Sequence, residues 1–502
     1  MPKKKISCQI NGHSIQVEEG STIIQAFKKL NQRICHYCWH PGLSVSGVCR
    51  LCMVEIEGQG KLQIACNTQV QEGMKVSNQS EKVKTAVRWG LEYHLINHPL
   101  DCPICDQAGE CELQDQYMEF GSYDSSMSER KVKKRKVLDL GSKIVLDTER
   151  CILCTRCVRF TDEVTKTHEL GIFNRGDRSE IGCFEDKPLN NNYAINTVDI
   201  CPVGALTSKH FRFKQRVWYL KTAQSICTGC STACNTYVDY NEEGIWRVRP
   251  RFNKEVNGHW MCDKGRFLFQ DMDRKKRLHM ALEANDKFWN FLETKVAFEK
   301  IKTLLENKTA HFVLTGQYTN EEYEILLKHF SNSVFYIWSQ EGQFPKFDKL
   351  LLREDRNPNT KTLKKLFPKI KPLTKLEKNK NEIPLLFVLG PENLIFYPDL
   401  EEKTKLFSQV KSLVWLGLVK NKFLVCKENF FQIPMKSSFE KTGTFTNYKG
   451  LEQKIDKIQS FNSQAVSVED IIKLLKTDNF KLKEDRAYFK QNQFLNSNQK
   501  IW

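Results

Sequence analysis

Fifteen cysteines and one histidine fall into four sets at metal-ligand intervals: Cys38/Cys49/Cys52/Cys66, His98/Cys102/Cys105/Cys111, Cys151/Cys154/Cys157/Cys201 and Cys227/Cys230/Cys234/Cys262. So many thiols must end as disulfides or as metal ligands, and the two outcomes belong to different compartments. The start of the chain is basic, but residues 6–17 then read as paired strands, with neither an apolar signal core nor an Arg- and Ser-rich amphipathic helix. A reducing compartment, cytosol or organelle matrix, is therefore expected. There the density of thiolates points to iron-sulfur clusters, and so to electron transfer.

A chain of 502 residues exceeds one hydrophobic core and implies several domains. Its apolar runs, such as 383–389 and 413–419, have strand length and fall well short of the roughly 20 residues that cross a bilayer, so no membrane span is expected. The net charge of +17 includes one compact group, Arg130, Lys131, Lys133, Lys134, Arg135 and Lys136. This group connects two cysteine sets and lacks interleaved aromatics, which disfavours nucleic acid as a partner. It reads as a solvated face, or as counter-charge to anionic clusters nearby.

Residues 6–18 alternate apolar and polar around Asn11-Gly12, a strong hairpin signal, and Ser21 is expected to cap a helix running to about Leu30. The cysteine loop that follows has the pattern C-x10-C-x2-C-x13-C when counting starts at Cys38, which leaves Cys35 over. Gly42 and Gly47 lie in its x10 interval, where a backbone wrapping a cluster needs unusual dihedrals. Val83, Val87, Leu91 and Leu95 form a helical stripe that ends at His98-Pro99. From there the chain continues as H-x3-C-x2-C-x5-C. A neutral imidazole in place of a thiolate removes one negative charge and should raise a cluster's potential. The third set, C-x2-C-x2-C with a remote Cys201-Pro202, has the bacterial-ferredoxin form. Only one such run is present, so four ligands around one 4Fe-4S cluster is the economical reading. The fourth set, C-x2-C-x3-C-x27-C, offers four more thiolates.

Structural zinc rivals any single C-x2-C pair, but four tandem sets with these spacings are unlike zinc hairpins. Cys8, Cys35, Cys183 and Cys426 fit no set and are expected to be buried thiols.

The words SVSGVCRLCMVEIEG (44–58), NHPLDCPICDQAGECELQDQ (97–116), RCILCTRCVRF (150–160) and DICPVGALTSK (199–209) resemble the large iron-sulfur subunits of respiratory complex I, the NADH:quinone oxidoreductase. The hairpin-helix-loop opening is similar to ubiquitin-like 2Fe-2S ferredoxins. The resemblance implies one 2Fe-2S cluster on Cys38, Cys49, Cys52 and Cys66, and two 4Fe-4S clusters on His98/Cys102/Cys105/Cys111 and Cys151/Cys154/Cys157/Cys201. It implies a third 4Fe-4S cluster, off the main route, on Cys227/Cys230/Cys234/Cys262. No bond-making catalytic residue is implied. The implied partners are a flavin/NADH-binding subunit, a quinone-side 4Fe-4S subunit and other peripheral-arm subunits, on the inner face of an energy-transducing membrane.

After residue 270 the composition shifts toward Lys, Asn and Phe, and short apolar runs at 311–315, 384–389 and 413–418 alternate with expected helices such as 320–330. This is an α/β pattern. FEKTGTFTNYKGLEQ (439–453) resembles a word of molybdopterin oxidoreductases, whose fold is expected here in truncated form as a scaffold. The fold class expected overall is a multi-domain α+β chain. Its parts are a 2Fe-2S ubiquitin-like domain at 1–80, a 4Fe-4S domain with one histidine and three cysteine ligands at 81–120 and a ferredoxin-like 4Fe-4S domain at 140–215. A molybdopterin-oxidoreductase-type 4Fe-4S domain at 220–275 and the truncated scaffold at 276–502 complete it. The alternative is the alpha subunit of an NAD-linked formate dehydrogenase or another molybdopterin oxidoreductase. That reading requires a molybdenum site, and Cys426 stands alone in this half.

Overall fold

The computed structural model describes residues 4–272, 276–306 and 308–476. The first three residues of the basic start, and the end of the expected scaffold at 477–502, lie outside them. The chain forms two compact units, one up to Leu220 and one from Lys221.

The first unit opens with β1 (Lys5–Ile10) and β2 (His13–Glu18), paired antiparallel across Asn11 and Gly12. Both turn residues have positive φ, 49° and 82°, as a two-residue type I′ turn requires. Helix α1 (Ile23–Lys29) starts one residue later than expected. Thr22 rather than Ser21 is its cap, and the Thr22 N–H donates to Gln25 Oε1 at 2.9 Å. After the cysteine loop come β3 (Met53–Ile56), β4 (Gln63–Ile64) and β5 (Met74–Ser77), giving a sheet ordered β2-β1-β5-β3-β4 with β1 and β5 parallel. Alternation along β1 buries Ile6, Cys8 and Ile10 against Ile23, Ile24 and Phe27 of α1. Phe27 is fully buried, so its truncation to Ala should cost roughly 3–5 kcal/mol.

Helix α2 (Glu81–Leu95) is capped by Ser80, whose Oγ accepts the Val83 N–H at 3.4 Å. Its stripe of Val83, Val87 and Leu91 is buried in a core shared with Cys35, Cys38 and Cys49. Then follow α3 (Glu112–Phe120), β6 (Leu138–Asp139), β7 (Ile144–Leu146), the single turn α4 (Arg156–Arg159), β8 (Leu170–Phe173), β9 (Glu180–Cys183), the single turn α5 (Asn196–Asp199) and β10 (Leu206–Ser208). The strands among them pair only as the small sheets β10-β7-β6 and β8-β9. In this part loops, not sheets, carry the fold.

The second unit begins with an antiparallel sheet of β11 (Lys221–Ile226), β12 (Asn235–Asn241) and β13 (Gly244–Pro250), followed by the single turn α6 (Asp263–Arg266). A larger sheet contains β14 (Ala281–Ala284), β15 (Trp289–Leu292), β16 (Ala310–Leu314), β17 (Val334–Ile337), β18 (Lys371–Pro372), β19 (Leu385–Leu389), β20 (Leu413–Gly417) and β21 (Phe430–Pro434). Its order is β15-β14-β21-β20-β19-β16-β17-β18, parallel from β21 to β18. All residues of β19, β20 and β21 are buried, the two-faced burial that makes a parallel strand read as a continuous apolar run. The chain runs outward from β16 to β18 and returns as β19 on the other side of β16. This creates a topological switch point between β16 and β19, where the loops beyond the strand ends diverge. Among the described residues no helix is long and apolar enough to cross a membrane.

Candidate iron-sulfur sites

The four thiols of the first set come from the loop ahead of β3 and from the segment after β4, and all are buried. Cys38 and Cys49 form one hydrogen-bonded pair and Cys52 and Cys66 another, and charge on Cys38 is felt at Cys52 and Cys66. The Cys49 thiol and the N–H groups of Gly47 and Val48 hold the Cys38 thiol below its usual range, while its partner is pushed up. Gly47 has φ +70° and Arg50, inside the C-x2-C step, has φ 54°; Gly42, expected to share this role, is not among the residues with positive φ. Helix α2 presses on the same loop. A Cβ on Gly90 would lie 2.7 Å from Leu51 Cδ2, so the glycine lets the helix approach without displacing that side chain.

The second set lies between α2 and α3. Cys102 is exposed while Cys105 and Cys111 are half-buried. The three thiols are electrostatic neighbours, and burial pushes Cys111 up to about 11. Arg150 lies near both the His98 imidazole and Cys105. Burial, then Lys131 and Arg150, pull His98 down to about 4. The ring is thus neutral at pH 7, the form that ligates metal. Its Nδ1 is buried with no hydrogen-bond partner among protein atoms, which fits a ligand atom.

The third set draws Cys151, Cys154 and Cys157 from the loop entering α4 and from α4 itself, and Cys201 from just beyond α5. The four are mutual neighbours, and burial pushes Cys151 and Cys154 each up to about 12. Leu153 and Thr155 occupy the left-handed region at φ 54° and 62°. Such residues cost on the order of 1–3 kcal/mol each and persist where surrounding contacts over-determine them. They turn the backbone so that N–H groups of Leu153 and Arg156 meet Cys151 and Cys154. The remote segment serves two sets. Cys201 belongs to the third, while Pro202 O accepts the Glu112 N–H beside Cys111 at 3.0 Å, and a Cβ on Gly204 would collide with Cys105 Sγ.

The fourth set lies in the turn from β11 to β12 and at the start of α6, with all four thiols buried and mutually adjacent. A Cβ on Gly265 would stand 2.8 Å from Cys227 Sγ and 3.6 Å from Cys262 Sγ, so this glycine keeps room beside the thiols. The 439–453 word packs on the same turn through the hairpin of β22 (Gly443–Thr446) and β23 (Glu452–Ile455). The Tyr448 N–H donates to Ser231 O at 2.9 Å, and Gln453 Nε2 donates to Ala233 O at 3.0 Å. From the switch point, Asn393 Nδ2 donates to Thr228 Oγ1 at 3.0 Å. Buried Glu440 pairs with buried Arg277.

Among the described residues no three His, Cys, Asp or Glu side chains close on a single metal-ion centre. Burial disfavours the thiolate form of Cys49, Cys52, Cys105, Cys111, Cys151, Cys154, Cys157, Cys227, Cys234 and Cys262, each with another thiol of its set nearby, so bound positive charge would relieve their mutual repulsion. Clusters fit this pattern, since each iron takes its own terminal ligands and spreads them wider than one ion does. The two thiol pairs of the first set suit two irons with two thiolates each.

Of the leftover cysteines, Cys8 and Cys35 are buried, but Cys183 and Cys426 are only half-buried, contrary to expectation. Cys35 donates to Gln116 Oε1 at 2.6 Å. The basic group at 130–136 is more engaged than a solvated face. Lys131 Nζ donates to Leu95 O and Ile96 O at 2.8 and 2.9 Å, and Arg135 pairs with Glu180 at 2.6 Å. Lys136 pairs with Asp101 at 2.7 Å and Glu149 at 2.9 Å. The left-handed Arg50, Leu153, Thr155 and Ala233 went unread in the sequence, because none is a residue type that signals positive φ.

Comparison with known proteins follows the same order along the chain. Residues 3–81 match a 2Fe-2S iron-sulfur cluster binding domain, and 90–126 match the NADH-ubiquinone oxidoreductase-G iron-sulfur binding region. Residues 141–207 match the ferredoxin-like domain of NADH-quinone oxidoreductase subunit 3, and 220–274 the molybdopterin oxidoreductase Fe4S4 domain. The mitochondrial NADH dehydrogenase [ubiquinone] iron-sulfur protein 1 of Solanum tuberosum is 40% identical over 277 residues, 55% of this chain and 37% of that protein. The NADH-quinone oxidoreductase G subunit of Rickettsia prowazekii is 37% identical over 325 residues, 64% of this chain and 47% of that protein. The chain is thus similar to the iron-sulfur subunits of NADH-quinone oxidoreductases. A further relative, the NADH-ubiquinone oxidoreductase 75 kDa subunit of Reclinomonas americana, is 36% identical over 65% of this chain and 47% of its own. The chain spans about half or less of the length of the curated relatives it matches. It carries one 2Fe-2S domain and several 4Fe-4S binding domains in a mixed α/β fold.

Proposed function

We propose that this chain is the electron-relay subunit of an NADH:quinone oxidoreductase, taking electrons from an NADH- and flavin-binding subunit and passing them toward a quinone-side 4Fe-4S subunit. The ligands are Cys38, Cys49, Cys52 and Cys66 for one 2Fe-2S cluster, with Cys151, Cys154, Cys157 and Cys201 for a 4Fe-4S cluster and His98, Cys102, Cys105 and Cys111 for the next. Cys227, Cys230, Cys234 and Cys262 hold a further 4Fe-4S cluster off the main route. The five segments 1–80, 81–120, 140–215, 220–275 and 276–502 are its functional parts, and the last is a scaffold of truncated molybdopterin-oxidoreductase type. Assembly is in the peripheral arm, on the bacterial cytoplasmic or mitochondrial matrix side of the membrane.

The observation that carries this reading is that the first three sets share one wall of packing. Cys38 and Cys49 of the first set and Cys154 and Cys157 of the third lie in a single buried cluster, with Cys111, Cys151 and Cys201 packed against it. Bound iron-sulfide clusters supply the one-electron chemistry, and the chain does the rest. Burial removes water, backbone N–H groups donate to sulfur, and the neutral His98 lowers the negative charge at one site. No general base or nucleophile is needed. Paramagnetic resonance of the reduced protein at low temperature, with metal analysis, tests the reading. Roughly fourteen irons and as many acid-labile sulfides per chain are expected, and zinc without sulfide refutes it.

A further inference from the structure

Arg156 opens α4 between Cys154 and Cys157, and its side chain is 4% exposed. Nη2 donates to Trp39 O at 3.0 Å and Nη1 donates to Ile200 O at 3.1 Å. The same two nitrogens take Glu112 as a fork, Nη1 to Oε1 at 3.3 Å and Nη2 to Oε2 at 3.2 Å. Each acceptor belongs to a residue beside a ligand of a different set: Trp39 follows Cys38, Glu112 follows Cys111, and Ile200 precedes Cys201. Nε has no hydrogen-bond partner among protein atoms.

Resting on the cluster reading above, we propose that Arg156 is a positioning residue that ties the first three sites together and raises the reduction potential of the cluster held by the third set. Three acceptors in different directions need a planar, multi-donor group; a lysine ammonium presents donors from one point. The charge also matters. Reduction adds an electron, and a permanent cation in a water-poor interior stabilises the reduced state more than the oxidised one. Glu112 does not cancel this effect fully, because its side chain is 43% exposed and water screens it, while the guanidinium is buried. Arg159, one turn further on, supports the same junction. Its Nη groups donate to the carbonyl oxygens of Cys38, Ser44 and Cys154, joining the first and third sets.

The test is a redox titration of the assembled holo-complex followed by paramagnetic resonance, with iron and sulfide counted on the same samples. Arg156→Gln removes the charge and one arm of the fork. Its third-set cluster is expected to be about tenfold less reduced at a fixed potential, a shift of about 59 mV to more negative values for a one-electron couple. Arg156→Lys keeps the charge and should retain most of the potential, while the magnetic interaction between the first-set and third-set centres weakens. Glu112→Gln removes the screened counter-charge and should move the third-set potential upward. It also serves as the deciding variant if Arg156→Gln does not assemble. An Arg156→Gln complex whose reduced fraction stays within twofold of wild type, a Lys variant shifted as far as the Gln variant, or an unmoved Glu112→Gln potential overturns the proposal. Absence of all cluster signals from the wild type would instead overturn the cluster reading itself.

Discussion

The two units hold their thiols in opposite ways. Up to Leu220, three sets are strung through loops braced by short strands, single turns and a few helices, and Cys102 is exposed. From Lys221 onward, one set with all four thiols buried is clamped between a small antiparallel sheet, a hairpin and the switch-point loop of a large, mainly parallel sheet. The first arrangement shares walls between sites, and the second isolates one site within a stable frame. Under the proposed function, sharing suits transfer from site to site, whereas isolation suits a centre whose loss the relay can survive.

The sharpest test of that contrast is a pair of ligand deletions. Cys154→Ala should abolish one paramagnetic centre and block NADH-to-quinone transfer in the assembled complex; undiminished transfer would break the comparison on the first side. Cys230→Ala should remove one centre yet leave much of the transfer rate. Complete loss of transfer in a fully assembled Cys230 variant would place the fourth set on the route.

A smaller effect separates the frame from the loops. Asp239 on β12 is almost fully buried and accepts from Arg247 Nε at 2.5 Å, Arg249 Nε at 2.8 Å and Thr222 Oγ1 at 2.7 Å. Burial pushes its carboxyl up, but Arg249, Arg247 and Thr222 outweigh burial and leave it below the usual range. A depressed carboxylate contributes stability above the unfolded value near pH 4, and that contribution is lost as pH falls through the folded value. Asp239→Asn should therefore lower stability at pH 7 by roughly 1–3 kcal/mol and flatten the unit's acid dependence below about pH 4, read by thermal melts across pH.

The smallest expected effect concerns backbone strain. Leu153→Gly fits a left-handed position and should change stability by no more than about 1 kcal/mol, whereas the β-branched Leu153→Val should cost more than that. Equal melting temperatures for the two variants would mean that the loop of the third set is not held in the left-handed region.

Legibility in the sequence followed the same divide. Asn11-Gly12, the helical stripe of Val83, Val87 and Leu91 and the all-apolar runs that became β19 and β20 are local signals, and the structure has them where pattern placed them, to within a residue or so. The cap of α1 moved from Ser21 to Thr22 because either hydroxyl residue can begin that turn. Strand order in the large sheet was not readable, since β16 pairs with β19 more than seventy residues later through a parallel crossover that leaves no local mark. The grouping of the thiols was readable because most members of a set lie within a few residues of one another, and the structure brings the remote Cys201 and Cys262 to their groups. What surrounds them was not. Arg156 is one cation among 77 lysines and arginines, and only the folded chain brings Trp39, Glu112 and Ile200 to it.

The stretch from Cys201 to Gly204 carries a further consequence. It supplies a thiol to the third set and forms a wall of the second, so it cannot be laid down for either alone. Under the proposed function, metal loading at these two sites is coupled to a single folding event, the docking of a segment more than forty residues downstream of the C-x2-C-x2-C run. A maturation pathway that fills one would then wait for the same docking as the pathway that fills the other.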